Sequence, residues 1–211
     1  MNDKKFTYIT AFSGCGGAAI GLKQAGGEGL LAIEFDPYDK SQNAYQHLVK
    51  NFPEMHEKGR ILNEDICTIS GERIMEITGL KKYQLSLYQS SAPCQGFSAS
   101  NTKRDANDLR NDLFYESIKH VDVLRPSVAL FENVAGMVRG KMRGKFHKIV
   151  KALEGLGYKV GSYVLNSSDY GAPQTRPRTW IVAIREGLGE PSVPEFSSKT
   201  VSLSDVFPYL D

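Results

Sequence analysis

A chain of 211 residues with 41% apolar and 24% charged side chains is long and apolar enough for one domain with a full-sized core. That composition excludes a disordered chain, a collagen-like repeat and a disulfide miniprotein. With 26 Lys+Arg against 24 Asp+Glu the net charge is only +2, so a nucleic-acid partner would have to be met by a local positive field or with help from another segment.

Residues 6–12 are rich in β-branched and aromatic side chains and read as a strand that runs into Gly14, Gly16 and Gly17. A helical Ala/Ile/Leu stretch follows and ends at Gly26-Gly27. Residues 30–35 read as a second buried strand, and residues 38–51 as a helix stopped at Pro53. Ile61-Leu62 and residues 85–87 read as short strands with a helix over 72–77 between them. Over residues 109–124 the positions Leu113, Phe114, Ser117, Ile118 and Val121 share one helical face. Residues 128–131 form the next strand. Phe146, Ile149, Val150, Leu153 and Leu156 mark a further amphipathic helix closed by Gly157. Residues 158–165 and 179–184 are the last strands. Such alternation predicts an α/β fold, a Rossmann-like, mostly parallel, doubly wound sheet with helices on both faces. Residues 1–186 would be the catalytic domain. The Gly-, Pro- and Ser-rich residues 187–211 read as a connector.

Cys15, Cys67 and Cys94 are odd in number and widely spaced, with no C-x-x-C pair. That spacing predicts a reducing, cytoplasmic setting and no metal site. The apolar stretch after Lys4-Lys5 is too short and too polar for a signal peptide, and no run reaches the roughly 20 residues of a membrane span.

Gly14-x-Gly16-x-x-Ala19 lies between the first strand and the first helix, and Glu34 stands twenty residues after Gly14, at the end of the second strand. Glycines there allow a sharp turn and close approach of backbone to a ligand. An acid at that distance can accept from both ribose hydroxyls, so the pattern predicts an adenosine cofactor without saying which. Phe35 is placed to stack on adenine and Asp65 to accept from its amino group. Taken singly, Phe35 suits the core equally well, and Asp65 a helix cap.

At Pro93-Cys94-Gln95 a cysteine follows a strand and opens a loop of Ser, Asn, Thr and Gly. At the carboxyl edge of a parallel sheet such a thiol is either a nucleophile or inert packing. Glu132-Asn133-Val134 brings a carboxyl to the same edge, and Gln174-Thr175-Arg176-Pro177-Arg178 brings two arginines suited to phosphate, carboxylate or base contacts. Arg139, Lys141, Arg143, Lys145 and Lys148 form a basic run with no acid among them, either a solvated helix entry or a phosphate contact.

In order, these blocks resemble the cytosine-5 DNA methyltransferase family. Phe12-Ser13-Gly14-Cys15-Gly16-Gly17 is similar to its first motif, Glu34-Phe35-Asp36 and Glu64-Asp65-Ile66 to its second and third, and Pro93-Cys94-Gln95 to its PCQ. Arg110 with Leu113-Phe114-Tyr115-Glu116 resembles the helix after PCQ. Glu132-Asn133-Val134 matches ENV, and Tyr170-Gly171-Ala172-Pro173-Gln174 the run-in to its QxRxR at Gln174, Arg176 and Arg178. The likeness covers residues 6–186.

What the resemblance implies is methyl transfer from S-adenosylmethionine to carbon 5 of cytosine in double-stranded DNA, with no metal. Cys94 would add to carbon 6 of a flipped base, and a protonated Glu132 would hydrogen-bond the ring nitrogen and amino edge. Arg178 would hold the cytosine, with Arg176, Gln174 and Asn133 organising the site. The cofactor set would be Phe12, Ser13, Gly14, Cys15, Gly16, Gly17, Glu34, Phe35, Asp65, Ile66, Pro93 and Leu113. The chain departs from the family in carrying Ser90-Ser91-Ala92-Pro93 where Gly-Gly-Pro-Pro is usual. It also lacks the late blocks and the target-recognition region, which predicts a catalytic part of a split or truncated enzyme in a restriction-modification setting, with a second polypeptide as partner. Two other readings are an inactive cofactor-binding fragment and a dinucleotide-dependent oxidoreductase. The latter leaves the PCQ, ENV and QxRxR blocks unexplained.

Overall fold

The computed structural model describes residues 6–93, 113–139, 142–197, 201–207 and 209. Seven strands form one sheet: β1 (Thr7–Ala11), β2 (Glu28–Ile33), β3 (Ile61–Leu62), β4 (Leu87–Ser90), β5 (Val128–Val134), β6 (Tyr158–Asn166) and β7 (Pro177–Arg185). The order is β3-β2-β1-β4-β5-β7-β6. Neighbours from β3 to β5 pair parallel, whereas β7 runs antiparallel to both β5 and β6. The expected mostly parallel sheet is present, with one reversed strand inserted next to β5.

The helices are α1 (Gly17–Gln24), α2 (Asn43–Asn51), α3 (Pro53–Glu57), α4 (Gly71–Thr78), α5 (Leu113–Leu124), α6 (Arg143–Gly155) and α7 (Leu203–Val206). One sheet face carries the larger core, in which Ile9, Ile33, Tyr88, Phe131 and Ile181 meet Ile74, Phe114, Ile118 and Leu153 from α4, α5 and α6. Phe114 stacks on Phe131 with ring centroids 4.8 Å apart. The other face is packed by Ala19 of α1, Leu48 of α2 and Phe52 between α2 and α3, which meet Tyr8, Ala32 and Ile61.

Several element ends differ from the sequence expectation. The helix expected over 38–51 begins at Asn43, because Asp36 and Asp39 accept backbone N–H groups from Tyr38, Ser41 and Asn43 and wind residues 36–42 into turns. Pro53 starts a new helix at its first position rather than only ending the old one. The short strand expected at 85–87 lies at Leu87–Ser90, where Tyr88 and Ser90 are buried with hydroxyl partners far along the chain, His120 and Ser117. The strand expected at 128–131 continues to Val134, since β7 extends the ladder through Glu132↔Trp180, Asn133↔Thr179 and Val134↔Arg178.

The segment after Glu186 folds back on the domain. Tyr163 Oη donates to Pro191 O at 2.8 Å, Phe196 stacks on Tyr170 with centroids 5.5 Å apart, and Ser197 N–H donates to Asp169 O at 2.9 Å. Among the described residues no helix is long and apolar enough to cross a membrane.

Candidate active site

The turn from β1 into α1 is built around unusual backbone. Phe12, Gly14 and Gly16 have φ of +55°, +56° and +95°. A bulky residue with positive φ is strained, and such strain gathers at ligand sites. Ser13 N–H donates to Ile33 O at 3.1 Å, and its hydroxyl meets Thr10 Oγ1 at 2.8 Å, so the loop is tied to both β1 and β2. A Cβ on Gly16 would stand 2.6 Å from Phe52 Cε2, so the glycine also permits α1 to sit close to Phe52.

Glu34 follows β2, and its Oε2 accepts from Gly14 N–H at 2.7 Å. The two halves of the sequence pattern, loop and acid, are therefore in direct contact. Burial pushes the Glu34 carboxyl above its ordinary range; the Gly14 bond opposes this and the Asp36 charge adds to it. Asp65 caps the short turn at Ile66–Thr68, accepting from Cys67 N–H at 3.0 Å. Its second oxygen keeps capacity for another donor, so the cap and the ligand readings coexist. Glu64 is held by Arg73 in a two-pronged ion pair.

A cavity of about 410 Å³ is lined by Phe12, Gly14, Glu34, Phe35, Asp65, Ile66, Pro93 and Leu113 among others. Eight of the twelve expected cofactor residues thus line one space. Ser13 and Gly17 line the adjoining cleft instead, and Cys15 is exposed, with its carbonyl accepting from Asn51 Nδ2 at 2.8 Å. Gly16 is buried beneath Phe52. The Cys67 thiol is pushed up to about 11, chiefly by desolvation and then by Asp65, which keeps it protonated and unreactive.

The second cleft, about 790 Å³, opens on the sheet face that carries Leu130 and Glu132 of β5 and Arg178, Trp180 and Val182 of β7. Strand alternation puts all five on one side. Arg178 Nε lies 2.9 Å from Glu132 Oε1, and Arg176 Nη2 stands 4.0 Å from the same oxygen. Antiparallel pairing makes this pair possible, because it sets Arg178 beside Val134 and one pleat from Glu132. Asn133 points to the opposite, buried face, where its Nδ2 donates to Ala92 O at 3.2 Å. It therefore fixes the backbone just before Pro93. Gln174 is exposed, and its carbonyl accepts from Ser167 Oγ at 2.6 Å.

Phe12 and Ser91 line both cavities, so the two spaces share a wall. Sequence reading missed Ser91, Leu130, Tyr163, Tyr170 and Trp180; for Leu130 and Trp180 the signal was present, since each stands two residues from Glu132 or Arg178 on a strand. Cys94, Gln95, Arg110 and Lys141 lie outside the described residues. Arg143 and Lys145 open α6, whose first turn has no acid, an arrangement that runs against the helix dipole and leaves positive charge facing out. Among the described residues no group of three His, Cys, Asp or Glu side chains could hold a metal ion.

Residues 6–207 match the family model of the C-5 cytosine-specific DNA methylases. The chain is 34% identical over 194 residues to the Type II methyltransferase M.XorII of Xanthomonas oryzae pv. oryzae, covering 91% of this chain and 43% of that one. It is 35% identical over 195 residues to M1.HphI of Haemophilus parahaemolyticus, covering 90% and 48%. Among solved structures, a prophage-encoded E. coli chain assigned to the DNA modification methyltransferases superposes with a TM-score of 0.77 at 26% identity, over 96% of this chain and 54% of that one. Spodoptera frugiperda DNMT2, at 24% identity and a TM-score of 0.65 over 94% and 55%, shares the fold. The chain thus spans about half the length of the relatives it matches. The family-model match over nearly the whole sequence, carried on a mostly parallel α/β sheet, makes this chain a member of the C-5 cytosine-specific DNA methylase family.

Proposed function

We propose that the chain transfers a methyl group from S-adenosylmethionine to carbon 5 of a flipped cytosine in DNA, through a covalent adduct with Cys94. The observation that carries this reading is the shared wall: a cavity lined by Glu34, Phe35 and Asp65 adjoins a cleft holding the Glu132–Arg178 pair. The donor set fits the cofactor. Among the described residues Glu34 Oε1 has no partner and is free to accept from ribose, while Phe35, Ile66 and Leu113 give apolar surface for adenine. When bound, S-adenosylmethionine supplies an electrophilic methyl group.

The chain's own residues supply the rest. Carbon 5 of cytosine is a poor nucleophile until a thiolate adds to carbon 6, which is the role of Cys94. Glu132, in its acid form, donates to the ring nitrogen and accepts from the amino group of the base, and so stabilises charge that develops on the ring. Arg178, held at 2.9 Å from Glu132, orients that carboxyl and contacts the base, and Arg176 adds positive charge at the mouth. Transfer of the carbon 5 proton to water re-forms the carbon 5–carbon 6 double bond and expels the Cys94 sulfur as thiolate, which releases the product. Arg139, Arg143, Lys145 and Lys148 are suited to the phosphates of the duplex. The Type II names of the relatives support a restriction-modification setting.

Duplex DNA containing 5-fluorocytosine tests the reading, because fluorine at carbon 5 blocks release of the sulfur. Wild-type protein with S-adenosylmethionine should give a covalent complex on a denaturing gel, and Cys94→Ser should give none. Trapping by the Cys94→Ser protein would overturn the assignment.

A further inference from the structure

Gln89 of β4 and Ser91, the residue just after it, lie toward the side of the sheet that lines the base cleft, opposite Tyr88 and Ser90, which bond α5 through His120 and Ser117. Gln89 is 1% exposed. Its Nε2 donates to Ser91 Oγ at 2.7 Å, and its Oε1 has no partner among the described residues. A buried amide with half of its capacity unmet is rare in folded proteins and calls for a reason. Here the amide fixes a hydroxyl. An Nε2 group can only donate, so Ser91 Oγ accepts, and the Ser91 proton remains available for another acceptor.

The place to which that proton is offered is defined. Ser91 N–H is held by Ala11 O at 3.2 Å at the carboxyl end of β1, and Ser91 lines both cavities at their junction. Glu34, Phe35 and Asp65 mark the nucleoside end of the smaller cavity, and Ser91, with Phe12, marks the end that opens on the base cleft. A ligand with its adenosine at the first end presents its other arm at the second. Gly17 and Ala18, at the start of α1, line the same cleft as Ser91, and backbone N–H groups at a helix start favour an anion.

We propose that Ser91, oriented by Gln89, is a cofactor-binding residue whose hydroxyl donates to the carboxylate of the aminoacyl arm of S-adenosylmethionine. This rests on the cofactor reading above and adds a contact made by a side chain that the family's usual glycine lacks.

Calorimetric titration of the 211-residue chain with two ligands tests it: S-adenosylhomocysteine, and 5′-methylthioadenosine, which has the nucleoside and thioether but no aminoacyl arm. Ser91→Ala should weaken S-adenosylhomocysteine about tenfold or more and leave methylthioadenosine within about twofold, as for one lost bond to a charged group. Ser91→Thr, which keeps the hydroxyl, should restore most of the affinity, and Gln89→Met should weaken S-adenosylhomocysteine selectively but less. Unchanged S-adenosylhomocysteine affinity in Ser91→Ala, or an equal loss for both ligands, overturns the proposal while the cofactor reading stands. Wild-type chain that binds neither ligand overturns the cofactor reading itself, and this contact with it.

Discussion

Replacing Gly16 by alanine combines two separable penalties. At φ +95° an alanine is held in left-handed backbone, which costs about 1–2 kcal/mol. Its Cβ would also stand 2.6 Å from Phe52 Cε2 and 3.0 Å from Leu48 Cδ1. Leu48 is fully buried and Phe52 is 6% exposed, so neither ring nor methyl can swing into solvent. Overpacking of that kind typically costs about 1–3 kcal/mol. We therefore expect Gly16→Ala to lose about 2–5 kcal/mol, a fall in Tm of roughly 5–15 °C for a chain of this size. Two neighbours serve as controls. Gly14 has φ +56° but nothing within 4 Å of an added Cβ, so Gly14→Ala should lose only the backbone part, about 1–2 kcal/mol. Gly17 is helical and equally unobstructed, and Gly17→Ala should be neutral or slightly stabilising. Urea and thermal unfolding of the three variants measure the series. If Gly16→Ala loses no more than Gly14→Ala, the contact with Phe52 does not constrain the turn.

Asn133→Ala should remove the bonds to Ala92 O and Val134 N together, lowering stability by about 1–3 kcal/mol and slowing methyl transfer more than it weakens cofactor binding, as single-turnover kinetics and calorimetry would separate. His120 is buried between Tyr88 Oη at 2.8 Å and Ile69 O at 2.7 Å, and burial holds its imidazole below the usual histidine range despite the Ile69 bond. The unfolded chain then binds more protons than the native one, so stability should fall as pH drops through about 6.5, and His120→Gln should flatten that slope in thermal melts from about pH 7 to about pH 5. Glu34 has the opposite sign: its raised carboxyl favours the protonated native state, so the charged form weighs against folding at neutral pH. Glu34→Gln should melt slightly higher at neutral pH, lose that gain on acidification into the ordinary carboxylate range, and bind S-adenosylhomocysteine about 1.5–3 kcal/mol more weakly. A variant that binds normally would remove Glu34 from the cofactor site.

The glycine loop and its acid were legible because their constraint is local: a positive φ excludes most side chains, and twenty residues separate the two sides of one hydrogen bond. Glu132 and Arg178 were legible as residue types but not as a pair, because only the reversed direction of β7 brings them to 2.9 Å. β4 was misplaced by two or three residues for a related reason. Tyr88-Gln89-Ser90 reads as a polar interruption until His120 and Ser117, some thirty residues away, supply partners that make its burial tolerable. His120 itself sat on the expected buried face of α5 without an apolar signature to mark it. The start of α2 was hidden by turn chemistry at Asp36 and Asp39, which competes with a helix over the same residues.

One reversed strand also decides where this family member can vary in length. β6 and β7 are joined by residues 167–176, which hang from the two strand ends and are held there by Arg176 N–H on Asn166 Oδ1 at 2.8 Å. Insertion into that hairpin loop would leave the ladder from Pro177 to Arg185 untouched and the Glu132–Arg178 pair in place. One residue added inside β7 would do the reverse: side chains on one side of the insertion would change faces, and a one-residue slip of Arg178 would turn its charge out of the cleft and toward the buried face of the sheet. Drift in this region should therefore collect in the loop, and the strand should tolerate substitution far better than any change of length.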